Sequence, residues 1–267
     1  MTSVTGCTLV RSSRRGPGDL ASIAAGKAMA RAAIVPVILA ATAFMASPAA
    51  ATLVNVDFNS NGPGTLVGTF SGTGVLGGGT WNGVTVDRTA QTLASTALLD
   101  SSGTASGISV AIPAFQGAWN LATQSASAWK PLLGDYVYVT QAGQSTATIS
   151  LSGLGSSTAW DLVFYAANGQ GEGSDFTIGG ITKRTTDSGG IGATLTAGDE
   201  YVAFTNVFSD SLGTISITWS NYAETPGSVL NGFQIQSVPE PSGLALLVVA
   251  VVAGAAGRTA KSAARRP

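Results

Sequence analysis

The sequence predicts an all-β protein: a two-sheet antiparallel β-sandwich of jelly-roll type, preceded by a signal helix and followed by a hydrophobic helix. Three observations predict it. Between Thr52 and Ser237, apolar residues recur at every second position in short runs. Gly-, Asn- and Asp-rich stretches separate those runs, and Gly supplies 35 of the 267 residues. No middle segment carries a convincing apolar stripe of helical period, so the strands must bury their faces on one another.

Taken in order, the first element is an address. Residues 29–51, MARAAIVPVILAATAFMASPAAA, open with Arg31, continue through an apolar core over residues 32–44 and end in Ala49-Ala50-Ala51. A positive start, an apolar core and small residues at the end are the parts of a secretory signal peptide. The expected cut falls after Ala51, with Ala49 and Ala51 as its small-residue signal. Residues 1–28 hold Arg11, Arg14, Arg15 and Lys27. They are either an extended positive region from Met1 or lie upstream of a true start at Met29.

The sandwich is expected over residues 52–237. TATISLSGL places Ala147, Ile149 and Leu151 on one face, and GTISITW does the same with Ile215, Ile217 and Trp219. NGFQIQS turns Phe233 and Ile235 inward and Gln234 and Gln236 outward. Further strands are expected at 53–58, 65–70, 80–86, 107–112, 136–140, 161–167, 175–178 and 201–208. SASAW, ending at Trp129, has room for one helical turn.

Charge narrows the class of partner. The whole chain carries -1, but residues 52–237 hold twelve acids against Arg88, Lys130, Lys183 and Arg184, a net of -8. Nucleic acid requires clustered bases, so it is excluded as a partner. The one cysteine, Cys7, lies in the leader, which leaves the middle without disulfide or thiolate chemistry. There is no histidine, the commonest general base.

The C-terminal element, residues 238–267, has three parts in order. Val238-Pro239-Glu240-Pro241 is followed by an apolar run over residues 244–256 and then by Arg258, Lys261, Arg265 and Arg266. The prolines stop any helix from starting upstream. The run is apolar on all sides, unlike a helix with one buried face, though short for a bilayer span. The bases form an inside anchor. This order closely resembles the PEP-CTERM sorting signal of exported bacterial proteins. The resemblance covers about 30 residues. It implies recognition and cleavage near the motif by an exosortase, after transit through the general secretion machinery and a transient stay in the inner membrane. The destination it implies is the cell surface or the extracellular matrix. The half from Leu132 to Gln236 resembles, in pattern, the uncharacterised sandwich domains attached to such tails.

Within the middle, DFNSNG matches the first half of a calcium loop, with Asp57, Asn59 and Asn61 as candidate metal ligands. Its twelfth position is Gly68 rather than a carboxylate, so an acid from elsewhere in the fold would have to complete it. The alternative is a polar turn. NGQGEGSD, residues 168–175, reads as a calcium- or sugar-binding loop or as a solvated hairpin tip. TDSGG, residues 186–190, resembles the nucleophile motif of trypsin-like proteases, but a serine there has no histidine base; a glycine turn explains it. Asp135, Asp161, Glu172 and Asp175 are the acids from which a glycoside-hydrolase pair would be drawn. Trp81, Trp119, Trp129, Trp160 and Tyr222 are candidate platforms for a sugar ring, whereas Trp219 falls on a core face. The resulting expectation is a non-enzymatic exported surface or matrix protein with no cofactor. The alternatives are a carbohydrate-binding module for exopolysaccharide, with or without Ca2+, and a carbohydrate-active enzyme.

Overall fold

Alternation along the chain becomes pleat in space. In β1 (Leu53–Ser60), Val54, Val56 and Phe58 face the main core, while Asn55 and Asp57 take the other face. The structure, a computed structural model, describes residues 51–60, 70–121, 128–188, 190–222 and 226–239. All of these belong to one compact unit. After β1 come β2 (Trp81–Val86), β3 (Leu93–Leu99), β4 (Ala105–Ile112) and β5 (Gly117–Asn120). A single helical turn, α1 (Lys130–Leu133), then leads into β6 (Asp135–Thr140), β7 (Thr146–Ser152), β8 (Ala159–Tyr165) and β9 (Asp175–Ile178). The chain continues through β10 (Ile181–Arg184), β11 (Tyr201–Phe208), β12 (Ile215–Ser220), β13 (Gly227–Leu230) and β14 (Gly232–Ser237).

The strands form two large sheets, in the orders β11-β8-β14-β1-β2 and β10-β9-β12-β7-β4-β3. From β7 to β12, successive sandwich strands pass between them, as in a jelly roll, with β10 extending the β9 hairpin. The inner faces meet in one apolar core. Phe164 of β8 stacks on Phe176 of β9 at 4.7 Å, one sheet against the other. Trp219, fully buried, joins the same core. Each such side chain contributes on the order of 1.5–3 kcal/mol of burial free energy.

Three features depart from a plain two-sheet antiparallel sandwich. β1 pairs with β2 in parallel, Asn55 opposite Trp81, and their connection includes residues outside those described. A third, short sheet, β13-β6-β5, stands beside β1. The outer face of the first sheet is also buried: Val163 and Tyr165 pack with Phe70, Trp81, Leu132 and Leu133. Gln234, expected outward and solvated, is therefore fully buried under the segment before β2. It donates to Asn55 Oδ1 (2.7 Å) and Gly77 O (2.9 Å), and accepts from Leu76 N (2.9 Å) and Tyr165 OH (2.7 Å). Of the strand expected at 65–70, residues 65–69 lie outside those described, and Phe70 belongs to no strand.

Both expected terminal helices lie outside the described residues, as do Ala49, Glu240, Pro241, Arg258, Lys261, Arg265 and Arg266. Among the described residues, no helix is long and apolar enough to cross a membrane. Ala51 is described just before β1, and Val238 and Pro239 just after β14. Val238 N donates to Ala159 O at 2.9 Å.

Candidate functional site

Among the described residues, the buried side-chain polar atoms without a hydrogen-bond partner fall at one corner of the fold. They are Asp57 Oδ1, Asn59 Oδ1 and Ser60 Oγ at the end of β1, Asn120 Nδ2 at the end of β5, and both Asp135 carboxylate oxygens at the start of β6. Asn120 and Asp135 are cross-strand partners. Asn231 ties the two halves of the corner together. Its carbonyl accepts from Phe58 N (2.8 Å), and its side chain donates to Leu133 O (3.1 Å) and Asp135 O (3.0 Å).

Asp57 and Asp135 are both wholly shielded from solvent. Burial pushes the Asp57 carboxyl up to about 8, and the neighbouring Asp135 charge adds to the rise. The Phe70 N–H, which donates to Asp57 Oδ2 at 2.9 Å, and Asn59 oppose it. Burial likewise pushes Asp135 up to about 7. Asp57 and Asn59 were candidate metal ligands from the sequence, and the structure brings Asp135 to them. Asn61 lies outside the described residues. Asp135 belonged among the candidate hydrolase acids; no local motif marks it as a partner of Asp57. Among the described residues, no three of His, Cys, Asp and Glu gather at one point. The corner therefore offers two carboxylates and amide and hydroxyl oxygens, rather than a cage of acids.

The other candidate hydrolase acids are held by different partners. Asp161 accepts from Asn206 N (2.9 Å), and Glu172 from Asn168 Nδ2 (2.6 Å). Asp175 forms a two-pronged pair with Arg184, 2.7 Å on each arm. The loop at residues 168–172 is a tied structure rather than a solvated tip. Asp187 accepts from the backbone N–H groups of Asn168, Gly169, Gln170, Gly171 and Glu172 at 2.9–3.2 Å. The TDSGG segment thus supplies the acid that shapes a neighbouring loop. Its Ser188 hydroxyl donates to Asp199 at 3.0 Å.

The tryptophans divide. Trp81, Trp160 and Trp219 are buried. Trp129 stacks on Phe70 at 5.3 Å and donates to Ala193 O. Trp119 is 47% exposed, with the Arg88 guanidinium 3.6 Å over its ring. Tyr222 has Arg184 at 4.3 Å over its ring.

An aromatic surface that sequence reasoning missed lies along β11. A bulge between Phe204 and Val207 places Asn206 at φ +54°. Beside it runs an open cleft of about 550 Å³. Phe204, Phe208, Lys183, Thr205, Asn206 and Asp210 are among its lining residues, and Phe208 is 66% exposed. The period-two pattern of residues 201–208 carries no sign of the bulge.

No family model and no curated protein matches the chain. Solved structures show slight likeness. One is the GH26-CBM35 β-(1,4)-mannanase of Podospora anserina: 16% identity, 47% of this chain and 26% of that chain covered, TM-score 0.29. Another is TmCBM61 in complex with β-1,4-galactotriose: 12% identity, 51% and 90% covered, TM-score 0.25. A third is the exo-β-1,3-galactanase of Phanerochaete chrysosporium: 17% identity, 52% and 36% covered, TM-score 0.25. At these scores, no residue role passes from those proteins to this chain.

Proposed function

We propose that the chain is an exported, non-enzymatic surface or matrix protein, a β-sandwich delivered by its signal peptide and sorted through its Pro-Glu-Pro tail by an exosortase. One observation supports this reading: the folded strands run between the two expected processing points. β1 begins at Leu53, two residues after Ala51, and β14 ends at Ser237, one residue before Val238. Thr52 N donates to Ser237 Oγ (2.8 Å), and Ser237 N to Thr52 O (2.9 Å), so the sandwich closes its own ends inside both cuts. Intact-mass spectrometry of the protein from its native cells, fraction by fraction, tests this. The expected form begins at Thr52, ends between Val238 and Pro241 and lies outside the inner membrane. A form still carrying residues 244–267 in the inner membrane overturns the sorting.

The cleft along β11 favours a second reading, binding of exopolysaccharide. It combines the exposed Phe208 ring with amide, hydroxyl and charged groups, the chemistry that stacks on a sugar ring and hydrogen-bonds its rim. Phe208→Ala is expected to weaken retention on the cells' own polysaccharide about tenfold in affinity electrophoresis. Unchanged retention removes this reading and leaves the first.

A further inference from the structure

We propose that the corner formed by β1, β5 and β6 is a calcium site, with Asp57 and Asp135 as its carboxylate ligands and the Asn59 amide oxygen as a third.

The argument begins with how consistently the rest of the interior is satisfied. On the same face of β1, Asn55 donates to Thr80 O (3.0 Å) and accepts from Gln234. The buried Ser174 hydroxyl donates to Val229 O (2.6 Å) and accepts from Trp219 Nε1 (3.1 Å). The buried Asn231 uses its amide hydrogens on two carbonyls and its oxygen on Ala167 N. Among the described residues, a fold that pairs these groups leaves six side-chain atoms orphaned, all on Asp57, Asn59, Ser60, Asn120 and Asp135. Buried polar groups without partners are rare in folded proteins and call for a cause.

Charge supplies the cause. Two carboxylates removed from water are costly unless a cation faces them. The ion pair of Arg184 with Asp175 involves neither of these carboxylates. One Ca2+ balances two carboxylates, and it takes oxygen from carboxylates, amides and water. Asp57 Oδ1, Asn59 Oδ1 and the two Asp135 oxygens are the unpartnered acceptors. Asn120 stands opposite Asp135 across the β5–β6 pair, and water would complete the six to eight positions calcium needs. Phe70 N–H fixes one Asp57 oxygen and leaves the other available.

The test uses the full-length chain. After dialysis from calcium-containing buffer, elemental analysis should find one calcium per chain. The melting temperature should rise by about 5–10 °C in millimolar Ca2+ over chelator. Asp135→Asn should lose both the bound ion and the rise, while melting no lower than the wild type in chelator, because it removes a buried charge. No retained calcium and an equal melting temperature in both buffers overturn the proposal. So does an Asp135→Asn variant that retains the ion. If that variant does not fold, Tb3+ luminescence of the wild type decides: one Ca2+-displaceable Tb3+ per chain supports the site, and none overturns it.

Discussion

Asp187 holds five backbone N–H groups on its two carboxylate oxygens, and those groups belong to a loop with two left-handed glycines, Gly169 and Gly171. Asp187→Ala strands the buried Asn168 donor and leaves the other four to water, and we expect a loss of about 1–3 kcal/mol in urea unfolding. The neighbouring Asp199 sets a pH dependence. Burial pushes its carboxyl up, but hydrogen bonds from Ser188 N (2.6 Å), Thr186 Oγ1 (2.8 Å) and Ser188 Oγ (3.0 Å) outweigh that and hold it below the ordinary 3.8. A depressed carboxylate stabilises the fold above its unfolded value, and the contribution disappears as pH falls through the folded value. The hydrogen-exchange protection factor of the Ser188 amide should therefore drop as the protein is taken from pH 5 to below 3.8. Asp199→Asn should flatten that dependence.

Strand pairing puts the sharpest limits on substitution. Gly232 opens β14 opposite Asp57, and a Cβ there would stand 2.2 Å from Val56 O and 3.1 Å from Leu132 Cδ1. Nothing flexible separates that methyl from the β1 backbone. Gly232→Ala should thus part β14 from β1 and cost more than about 3 kcal/mol in denaturant unfolding, as overpacking at its worst does. The same pairing explains what the sequence revealed and what it hid. β7 and β12 were legible because each buries one face and alternates cleanly, whereas β14 alternates in sequence but is buried on both faces over its first four residues. β10 was hidden because it is exposed at every position, as an edge can be, and β13 because it is buried at every position. β5 is only four residues long, and β3 shows a single buried residue, Leu98. Parallel pairing of β1 with β2 leaves no mark on side-chain period. In the candidate site, Asp57 and Asn59 were legible as a local motif. Asp135 reaches them only through the third sheet, a long-range arrangement without local spacing.

For the molecule as a whole, the decisive strands come from the two ends of the described chain. β14 sits in the middle of the first sheet, with β8 on one side and β1 on the other. It also carries Phe233 and Ile235 into the main core and Gln234 into the covered outer face. Thr52 and Ser237 close the seam by two hydrogen bonds. A chain reduced to residues 52–239 keeps every one of these bonds and all of both large sheets. It should fold without either terminal segment and unfold in one cooperative thermal transition. Removing residues 232–239 as well takes out the strand between β8 and β1, splits the first sheet and bares the edge of β1 that β14 pairs with. That shorter chain should show no cooperative transition in calorimetry. If residues 52–239 also failed to fold, the seam between Thr52 and Ser237 would be insufficient to close the sandwich. The proposed release of the domain at both ends would then yield an unfolded product, and the proposal of a folded, sorted sandwich would fail.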